Sequence, residues 1–341
     1  GLPVEEWACI PWSGPIEQWV NDATVSDVLV NGPHRPVTIV QKGSRLSTSV
    51  FLHRDWITFT QRQLLLRSHV VSPDTWPKPL LIGTADRRLR YAVTSAVATP
   101  DGPTLAVRVL PERWRTLDDV IRDKLLSRQS AEVLVYALRN GVTVLVSGGT
   151  GSGKTTVTAA LLQAIGEHAR VVVIEEAREL PSLHDSVSVE VGHSGMSFPE
   201  CVTFSLRQKP DLIVVGEVRG PEAMAMLQAA RSGHPGIGTI HAPDAQAALR
   251  NLEGMACEMP HVHPQIVRGV LTSSAVPLLV VQIGRYNGLR RVGSIEEVIP
   301  QGRSGQAGDR YVTSTLFSYD DTQDALVKRY AVQGAWGRGR F

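Results

Sequence analysis

The clearest pattern in the chain is a set of short, almost uninterrupted runs of branched apolar residues, separated by turns and by segments with helical spacing. These runs cover residues 142–146, 170–174 and 212–215. Runs of this kind predict strands buried on both faces of a parallel sheet, because crossover helices cover the two faces. The alternation of strand and helix over residues 117–341 therefore predicts an α/β domain with a parallel-rich sheet.

Residues 1–110 show a different pattern. The alternation of apolar and polar residues predicts short strands at 25–32, 37–40, 49–52, 91–94 and 104–109. Helical spacing predicts a helix over 55–70, with a buried face available to Trp56, Phe59, Leu64 and Leu66. Residues 73–79 predict a loop. Strands and a helix mixed in this way favour a smaller α+β domain over residues 1–110.

The boundary between the two patterns predicts a linker at residues 111–116, followed by the second domain over 117–341. Thr116 with Asp119 three residues later has the spacing of a helix N-cap followed by an acidic first turn. The last residues, 337–341, are rich in glycine and arginine and predict a frayed end.

The composition excludes several classes of protein. The chain of 341 residues is 43% hydrophobic and 20% charged, with a net charge of +2, and this favours a soluble globular protein without a strong field for nucleic acid. Cys9, Cys201 and Cys257 form no CxxC pair and predict neither a disulfide framework nor a zinc site. The longest apolar run, near residues 275–283, is far shorter than the roughly 20 residues of a membrane-spanning helix. These features favour a cytoplasmic protein that would reach a membrane through partners.

A phosphate-binding loop is the strongest chemical signal. Gly148, Gly153, Lys154 and Thr155 meet the spacing G-x-x-x-x-G-K-[ST], after a predicted strand and before a helix predicted to begin near Thr155. Main-chain N–H groups of such a loop, with the helix N-terminus, bind phosphates. The predicted nucleotide-binding residues are Gly149, Thr150, Gly151, Ser152, Gly153, Lys154, Thr155 and Thr156. We expect Lys154 on the β- and γ-phosphates and the Thr155 hydroxyl on Mg²⁺, so ATP and Mg²⁺ are the predicted cofactors.

Carboxylates for hydrolysis follow two of the predicted strands. Glu175 and Glu176 follow the run 170–174, and Glu217 follows the run 212–215. Because the carboxyl ends of parallel strands face the ligand crevice, both groups should converge on the phosphate loop. Glu175 and Glu217 are the first acidic residues after buried strands. For Glu176, and for Glu179 further on, a solvated loop charge is the alternative interpretation.

Four motifs, in order, resemble the type II/type IV secretion ATPase superfamily. After the phosphate loop, residues 173–180 resemble the Asp box of that family, and residues 207–220 resemble its Walker B segment, with Gly216 where most P-loop proteins place Asp. Gly233-His234 and residues 239–242 resemble the His box. Residues 25–32 and 90–108 resemble segments of the family's N-terminal domain.

The resemblance implies a RecA-like P-loop NTPase domain preceded by a smaller α+β domain. It implies a cytoplasmic ATPase, peripheral to the inner membrane, that forms a homo-oligomeric ring, usually a hexamer. Such rings act with membrane platform proteins in secretion, conjugation or pilus assembly. It assigns Glu175 as general base, Glu217 to Mg²⁺ or the attacking water, and His241 to sensing of the γ-phosphate. Arg90 and Arg108 of the N-terminal domain would clamp nucleotide phosphates.

Several points stay open at the level of sequence. Arg88 competes with Arg90 for the phosphate contact, and Glu176 fills a position where the family usually has Asp, so its role is undecided. The chain has no four-cysteine zinc module, which favours the type IV secretion and conjugation branch or the tight-adherence pilus branch, although pilus-retraction relatives also fit. A helicase-like nucleic-acid motor and a nucleotide-binding scaffold without turnover are the alternative functions.

Overall fold

The computed structural model describes residues 13–68, 80–85, 88–301 and 311–341. Cys9 and the loop predicted at residues 73–79 lie outside the described residues. The chain divides into two compact units. The first runs up to Arg113 and also takes in Ala177–Glu179, and the second comprises Trp114–Glu176 and Leu180–Phe341.

The described part of the first unit contains a six-stranded antiparallel sheet. Its strands are β1 (Val25–Val30), β2 (Pro36–Gln41), β3 (Ser44–Phe51), β4 (Leu80–Ala85), β5 (Leu89–Thr94) and β6 (Thr104–Val109). They lie in the order β3-β2-β1-β6-β5-β4. In one register row Asp27 lies opposite Arg108, and Arg108 lies opposite Arg90. Residues directly opposite one another share a face, so these three side chains are neighbours on one side of the sheet.

Helices of the first unit pack on this sheet. A 3-10 helix (Gly14–Ile16) is followed by α1 (Glu17–Val20), and the longer helix is α2 (Arg54–Arg67). Ile57, Leu64 and Leu65 of α2 are buried. The expectation for Leu66 was wrong, since its side chain is 52% exposed. Two residues of a helix lie about 200° apart around the axis, so Leu66 faces away from the core when Leu64 faces it.

The described part of the second unit contains a nine-stranded sheet. Its strands are β7 (Thr143–Gly148), β8 (Val171–Glu175), β9 (Ser186–Glu190), β10 (Leu212–Val215), β11 (Gly236–Ile240), β12 (Leu278–Tyr286), β13 (Leu289–Val298), β14 (Thr313–Asp320) and β15 (Ala325–Lys328). The order is β15-β14-β13-β12-β7-β11-β10-β8-β9. Neighbours from β12 to β9 pair in parallel. Beyond β12 the strands β13, β14 and β15 follow in this order, and each pairs antiparallel with the strand before it.

Helices cover both faces of this sheet. They are α3 (Leu117–Arg122), α4 (Arg128–Arg139), α5 (Lys154–Ile165), α6 (Val191–Ser194), α7 (Phe198–Ser205), α8 (Glu222–Arg231), α9 (Ala245–Ala256) and α10 (Pro264–Leu271), with a 3-10 helix at Leu206–Gln208. The predicted N-cap is confirmed, because Thr116 and Asp119 form a reciprocal capping box at the start of α3. No helix in the described ranges is long and apolar enough to span a membrane.

Two apolar clusters lie on opposite faces of the nine-stranded sheet. Val144 and Val146 of β7 belong to one cluster, and Leu145 belongs to the other. All residues of β7, β8 and β10 are buried. The expectation that these runs are covered on both faces is therefore confirmed.

The C-terminal residues are not frayed, contrary to expectation. The Phe341 ring meets the Tyr136 ring edge-on at a centroid distance of 5.2 Å. The Arg340 guanidinium lies 4.3 Å from the centroid of the Tyr136 ring. An aromatic contact and a cation–π contact together hold this end against α4.

Candidate nucleotide-binding site

The loop between β7 and α5 has the backbone that phosphate binding requires. Gly153 is the N-cap of α5 and takes the left-handed conformation, with φ of 112°. A Cβ on Gly148 would lie 2.6 Å from the carbonyl oxygen of Ile283 and from the Oγ of Ser152, so only glycine fits there. That Oγ is buried and has no hydrogen-bond partner among the described residues. The first N–H groups of α5 also lack partners within the helix, so the loop presents donors to an anion.

Lys154, the first residue of α5, reaches back across this loop. Its Nζ donates to the carbonyl oxygens of Gly148 at 2.8 Å and Gly149 at 3.0 Å. It also lies 3.4 Å from the Nδ1 of His241. Burial lowers the pKa of the Lys154 ammonium, while the Glu217 carboxylate acts in the opposite direction. The ammonium is thus held inside the loop, next to the His241 ring.

Glu217 connects this lysine to a second group of charges. Its Oε1 lies 3.0 Å from the Nε2 of His241, and its Oε2 accepts a hydrogen bond of 2.6 Å from Arg219. Arg219 also donates to Glu176 at 3.2 Å. The hydrogen bond to Glu217 raises the pKa of the Arg219 guanidinium. Lys154, His241, Glu217, Arg219 and Glu176 therefore form one continuous polar cluster at the carboxyl edge of the sheet.

Glu175 lies beside this cluster at the end of β8. Its side chain is buried, and its Oε2 lies 3.4 Å from the main-chain nitrogen of Leu180. β8 pairs in parallel with β10, so Glu175 is close to the residue that follows β10. A Cβ on Gly216 would lie only 2.7 Å from the Cγ of Glu175. The Glu175 side chain thus crosses over Gly216, and this gives a steric reason for glycine at a position where most P-loop proteins place Asp.

The arginines of the first unit are held by acidic side chains of the same unit. Arg90 forms an ion pair with Glu179. Arg108 lies 3.6 Å from the same carboxylate and also donates to Asp27 at 3.0 Å. The contact of Arg90 and Arg108 with a nucleotide stays a prediction.

Arg88, the competing candidate, has different partners. Its guanidinium donates to the carbonyl oxygen of Val20 at 2.8 Å and lies 3.0 Å from Glu112. The hydrogen bond to the main chain near α1 gives Arg88 a role in holding the first unit together. Arg88 and Arg90 are thus both paired with acidic side chains of the same unit, and the choice between them for the phosphate contact stays a prediction.

Three polar residues support the cluster, and two of them, Asn251 and Gln282, were missed at the level of sequence. Asn251 of α9 donates to the carbonyl oxygen of His241 at 2.9 Å. Gln282 of β12 donates to the carbonyl oxygens of Ala242 and Pro243, at 3.2 and 3.0 Å. The hydroxyl of Thr239 donates to the carbonyl oxygen of Gly216 at 2.5 Å. Of these residues only Gln282 could have been noticed in the sequence, because it is a polar residue within the apolar run near residues 275–283.

The donors at this edge suit Mg²⁺ bound together with phosphates. Within the described ranges, no group of three or more His, Cys, Asp or Glu side chains is placed to hold a metal ion by itself. Mg²⁺ characteristically takes one or two protein oxygens and completes its shell with water and substrate phosphates. Thr155, at the second position of α5, and Glu217 supply such oxygens, so the residues present fit this ion.

Comparison with known proteins identifies the family. The family model described as "Type II/IV secretion system protein" matches residues 80–313, which is more than half of the chain. The conjugal transfer protein TrbB of Rhizobium radiobacter is 34% identical over 205 residues, 57% of this chain and 60% of that protein, so the chain spans less than two thirds of its length.

Solved structures show a similar fold. The pilus retraction motor PilT with bound ADP matches with a TM-score of 0.63 at 22% identity, over 89% of this chain and 84% of that one. The ATPase DotB of Legionella pneumophila matches with a TM-score of 0.61 at 19% identity, over 83% of this chain and 78% of that one. The matched family model and the shared mixed α/β fold lead to one conclusion: the chain belongs to the type II/IV secretion ATPase superfamily.

Proposed function

We propose that this chain is an ATP-hydrolysing motor subunit built on a RecA-like P-loop domain. The observation that carries the proposal is the polar cluster at the carboxyl edge of the nine-stranded sheet. It joins Lys154 of the phosphate loop to Glu217 through His241, with distances of 3.4 and 3.0 Å. Glu175 lies at the end of β8, the strand next to β10. A phosphate-binding lysine with two carboxylates at adjacent strand ends is the arrangement that nucleotide hydrolysis needs.

The nucleotide phosphates would occupy the loop of residues 149–153 and the first turn of α5. Main-chain N–H groups there would donate to the phosphate oxygens, and Ser152 has a buried hydroxyl that can add a further contact. Lys154 would exchange its bonds to Gly148 and Gly149 for the β- and γ-phosphates. Burial lowers the pKa of Lys154, and bound phosphates would oppose this effect because they stabilise the ammonium.

The hydrolytic step would use the carboxylates and His241. Mg²⁺, when bound, neutralises charge on the β- and γ-phosphate oxygens. The Thr155 hydroxyl and Glu217 would hold the ion, so Glu217 would have to loosen its close contact with His241 and its hydrogen bond from Arg219. Glu175 would orient and deprotonate the attacking water. His241 would sense the γ-phosphate and transmit its presence to Glu217 through their contact. Glu176, which is paired with Arg219, would position that arginine.

We propose the domain organisation 1–110, 111–116 and 117–341, in which the first domain contributes Arg90 and Arg108 to the nucleotide. A guanidinium forms charge-assisted, forked hydrogen bonds with phosphate oxygens. Both arginines now share Glu179, so phosphate oxygens would compete with this carboxylate.

We further propose that six copies assemble into a ring on the cytoplasmic side of the bacterial inner membrane. Platform proteins of a secretion, conjugation or pilus system would be its partners there. The conjugal transfer relative favours the conjugation and type IV secretion branch.

The proposal is tested by measuring phosphate release and ADP binding. Lys154→Ala should abolish both, because it removes the charge inside the loop. Glu175→Gln should keep ADP affinity within about twofold and slow turnover by at least about 100-fold, the scale of lost general base catalysis. Glu190→Gln is the matched control, since Glu190 ends the neighbouring strand β9 in register with Glu175. Absence of nucleotide binding by the unaltered protein, or full turnover in Lys154→Ala, would disprove the assignment.

A further inference from the structure

A hairpin next to the phosphate loop carries an arginine that the function proposed above leaves unused. β12 pairs with β7 up to the last residue of that strand, where Ile283 lies opposite Gly148. β12 then continues to Tyr286, so the hairpin of β12 and β13 extends past the point where the phosphate loop begins. Its turn is Asn287-Gly288, both with positive φ (50° and 75°), as in tight type I′ hairpins.

The returning strand places Arg290 over the start of α5. A Cβ on Gly153, the N-cap of α5, would lie 3.9 Å from the Cδ of Arg290. The neighbouring residues fix this position, because the nitrogen of Val292 donates to the carbonyl oxygen of Leu125 at 3.1 Å. The Arg291 guanidinium donates to the carbonyl oxygen of Asp123, also at 3.1 Å.

The charge of Arg290 is not balanced within the described part of the chain. Its guanidinium has no hydrogen bond or ion pair to any described residue, whereas that of Arg291 is buried and paired with Asp324. Asp123 is paired with Arg115. Arg290 also lies directly opposite Arg285, and like charges at such a position are unfavourable. Arg290 also lies near the N-terminus of α5, where the helix dipole is positive and further disfavours its charge. An anion bound beside Arg290 would therefore be stabilised.

We infer that Arg290 binds the α- and β-phosphates of the nucleotide. The inference rests on the proposed function. In a loop of this type the main chain near Gly153 surrounds the α- and β-phosphates, while the lysine covers the β- and γ-phosphates. Arg290 lies on β13 beside Gly153 and would therefore act as a second cation, on the side of the loop that faces β12 and β13. The buried Ser152 hydroxyl without a partner is an independent sign that this loop holds an anion.

The test is the affinity of Arg290→Ala for ADP and GDP, measured by calorimetry, together with steady-state ATP hydrolysis. Loss of one charge-assisted contact should weaken binding of both diphosphates by roughly tenfold. KM for ATP should rise by a similar factor while kcat stays within about twofold, because the contact is equal in the ground and transition states. The affinity of Arg290→Lys should lie between those of the unaltered protein and Arg290→Ala, since lysine keeps the charge but lacks the forked guanidinium.

Arg285→Ala is the matched control, because Arg285 has the same charge on the opposite strand and its NH1 donates to Gly288. Arg285→Ala should change the affinity for both diphosphates by less than about twofold, because an exposed charge that does not contact the ligand contributes little free energy. Wild-type affinity in Arg290→Ala, or equal losses in Arg285→Ala, would overturn the inference and leave the proposed function intact. A loss confined to ADP and absent with GDP would overturn it in favour of a base contact. An unaltered protein that binds neither nucleotide would remove the proposed function and this inference with it.

Discussion

The contact between Gly216 and Glu175 allows the role of Glu175 to be tested without changing Glu175 itself. In Gly216→Ala the new Cβ would lie 2.7 Å from the Cγ of Glu175. Carbon atoms in contact are normally about 3.5–4.0 Å apart, so the Glu175 side chain must retreat by about 1 Å. Gly216 is not among the residues with positive φ, so the alanine itself is not strained by the backbone.

A displacement of this size should be visible mainly in turnover. A 1 Å misplacement of a reacting group costs about 100-fold in rate, equivalent to about 2.7 kcal/mol of activation free energy. We therefore expect kcat for phosphate release to fall about 100-fold. ADP affinity should stay within about twofold, because the proposed role of Glu175 is to act on the attacking water and not on the phosphates of ADP. Overpacking of this kind also costs about 1–3 kcal/mol of folding free energy, so the assay should be run well below the thermal midpoint.

Two controls separate this explanation from general damage. Gly254→Ala changes a glycine of α9 whose Cβ would meet no atom within 4 Å, and it should leave kcat unchanged. In a Glu175→Gln background, Gly216→Ala should add little, because both changes act on the same group. Full turnover in Gly216→Ala, or additive losses in the double variant, would refute the reasoning.

Two further predictions concern polar contacts of the second unit. Glu253 accepts hydrogen bonds from Arg268 at 2.9 Å and from Tyr311 at 2.5 Å, so Glu253→Ala should lower folding stability by about 3 kcal/mol, measured as a fall in the thermal midpoint. An unchanged midpoint would contradict this. Hydrogen bonds, first from Lys124 and then from Tyr319 and Arg291, hold the pKa of Asp324 below its usual range. The contribution of Asp324 to folding stability is therefore complete above about pH 4 and is lost as pH falls toward its pKa in the folded protein. The thermal midpoint of Asp324→Asn should then fall less with decreasing pH than that of the unaltered protein. Parallel pH profiles of the two proteins would count against it.

Features fixed by neighbouring residues were predicted correctly. The buried runs at β7, β8 and β10 need only a few consecutive apolar residues, and the capping box of Thr116 and Asp119 spans four positions. The expectation for Leu66 was wrong because it ignored helical periodicity, which places Leu66 on the side of α2 opposite to Leu64. The expectation for the C-terminal residues was wrong for a different reason, since their packing depends on Tyr136, which is far from Phe341 in the chain.

By itself the sequence determined the phosphate loop, the strand ends that carry Glu175 and Glu217, and the family. Each of these is encoded by spacing within a short segment, where backbone geometry follows directly from residue type. Only the tertiary structure decided that Glu175 crosses over Gly216, that Glu179 lies with Arg90 and Arg108, and that Arg290 lies beside Gly153. These contacts depend on strand order and register between segments far apart in the chain, and local residue patterns do not specify how such segments pair.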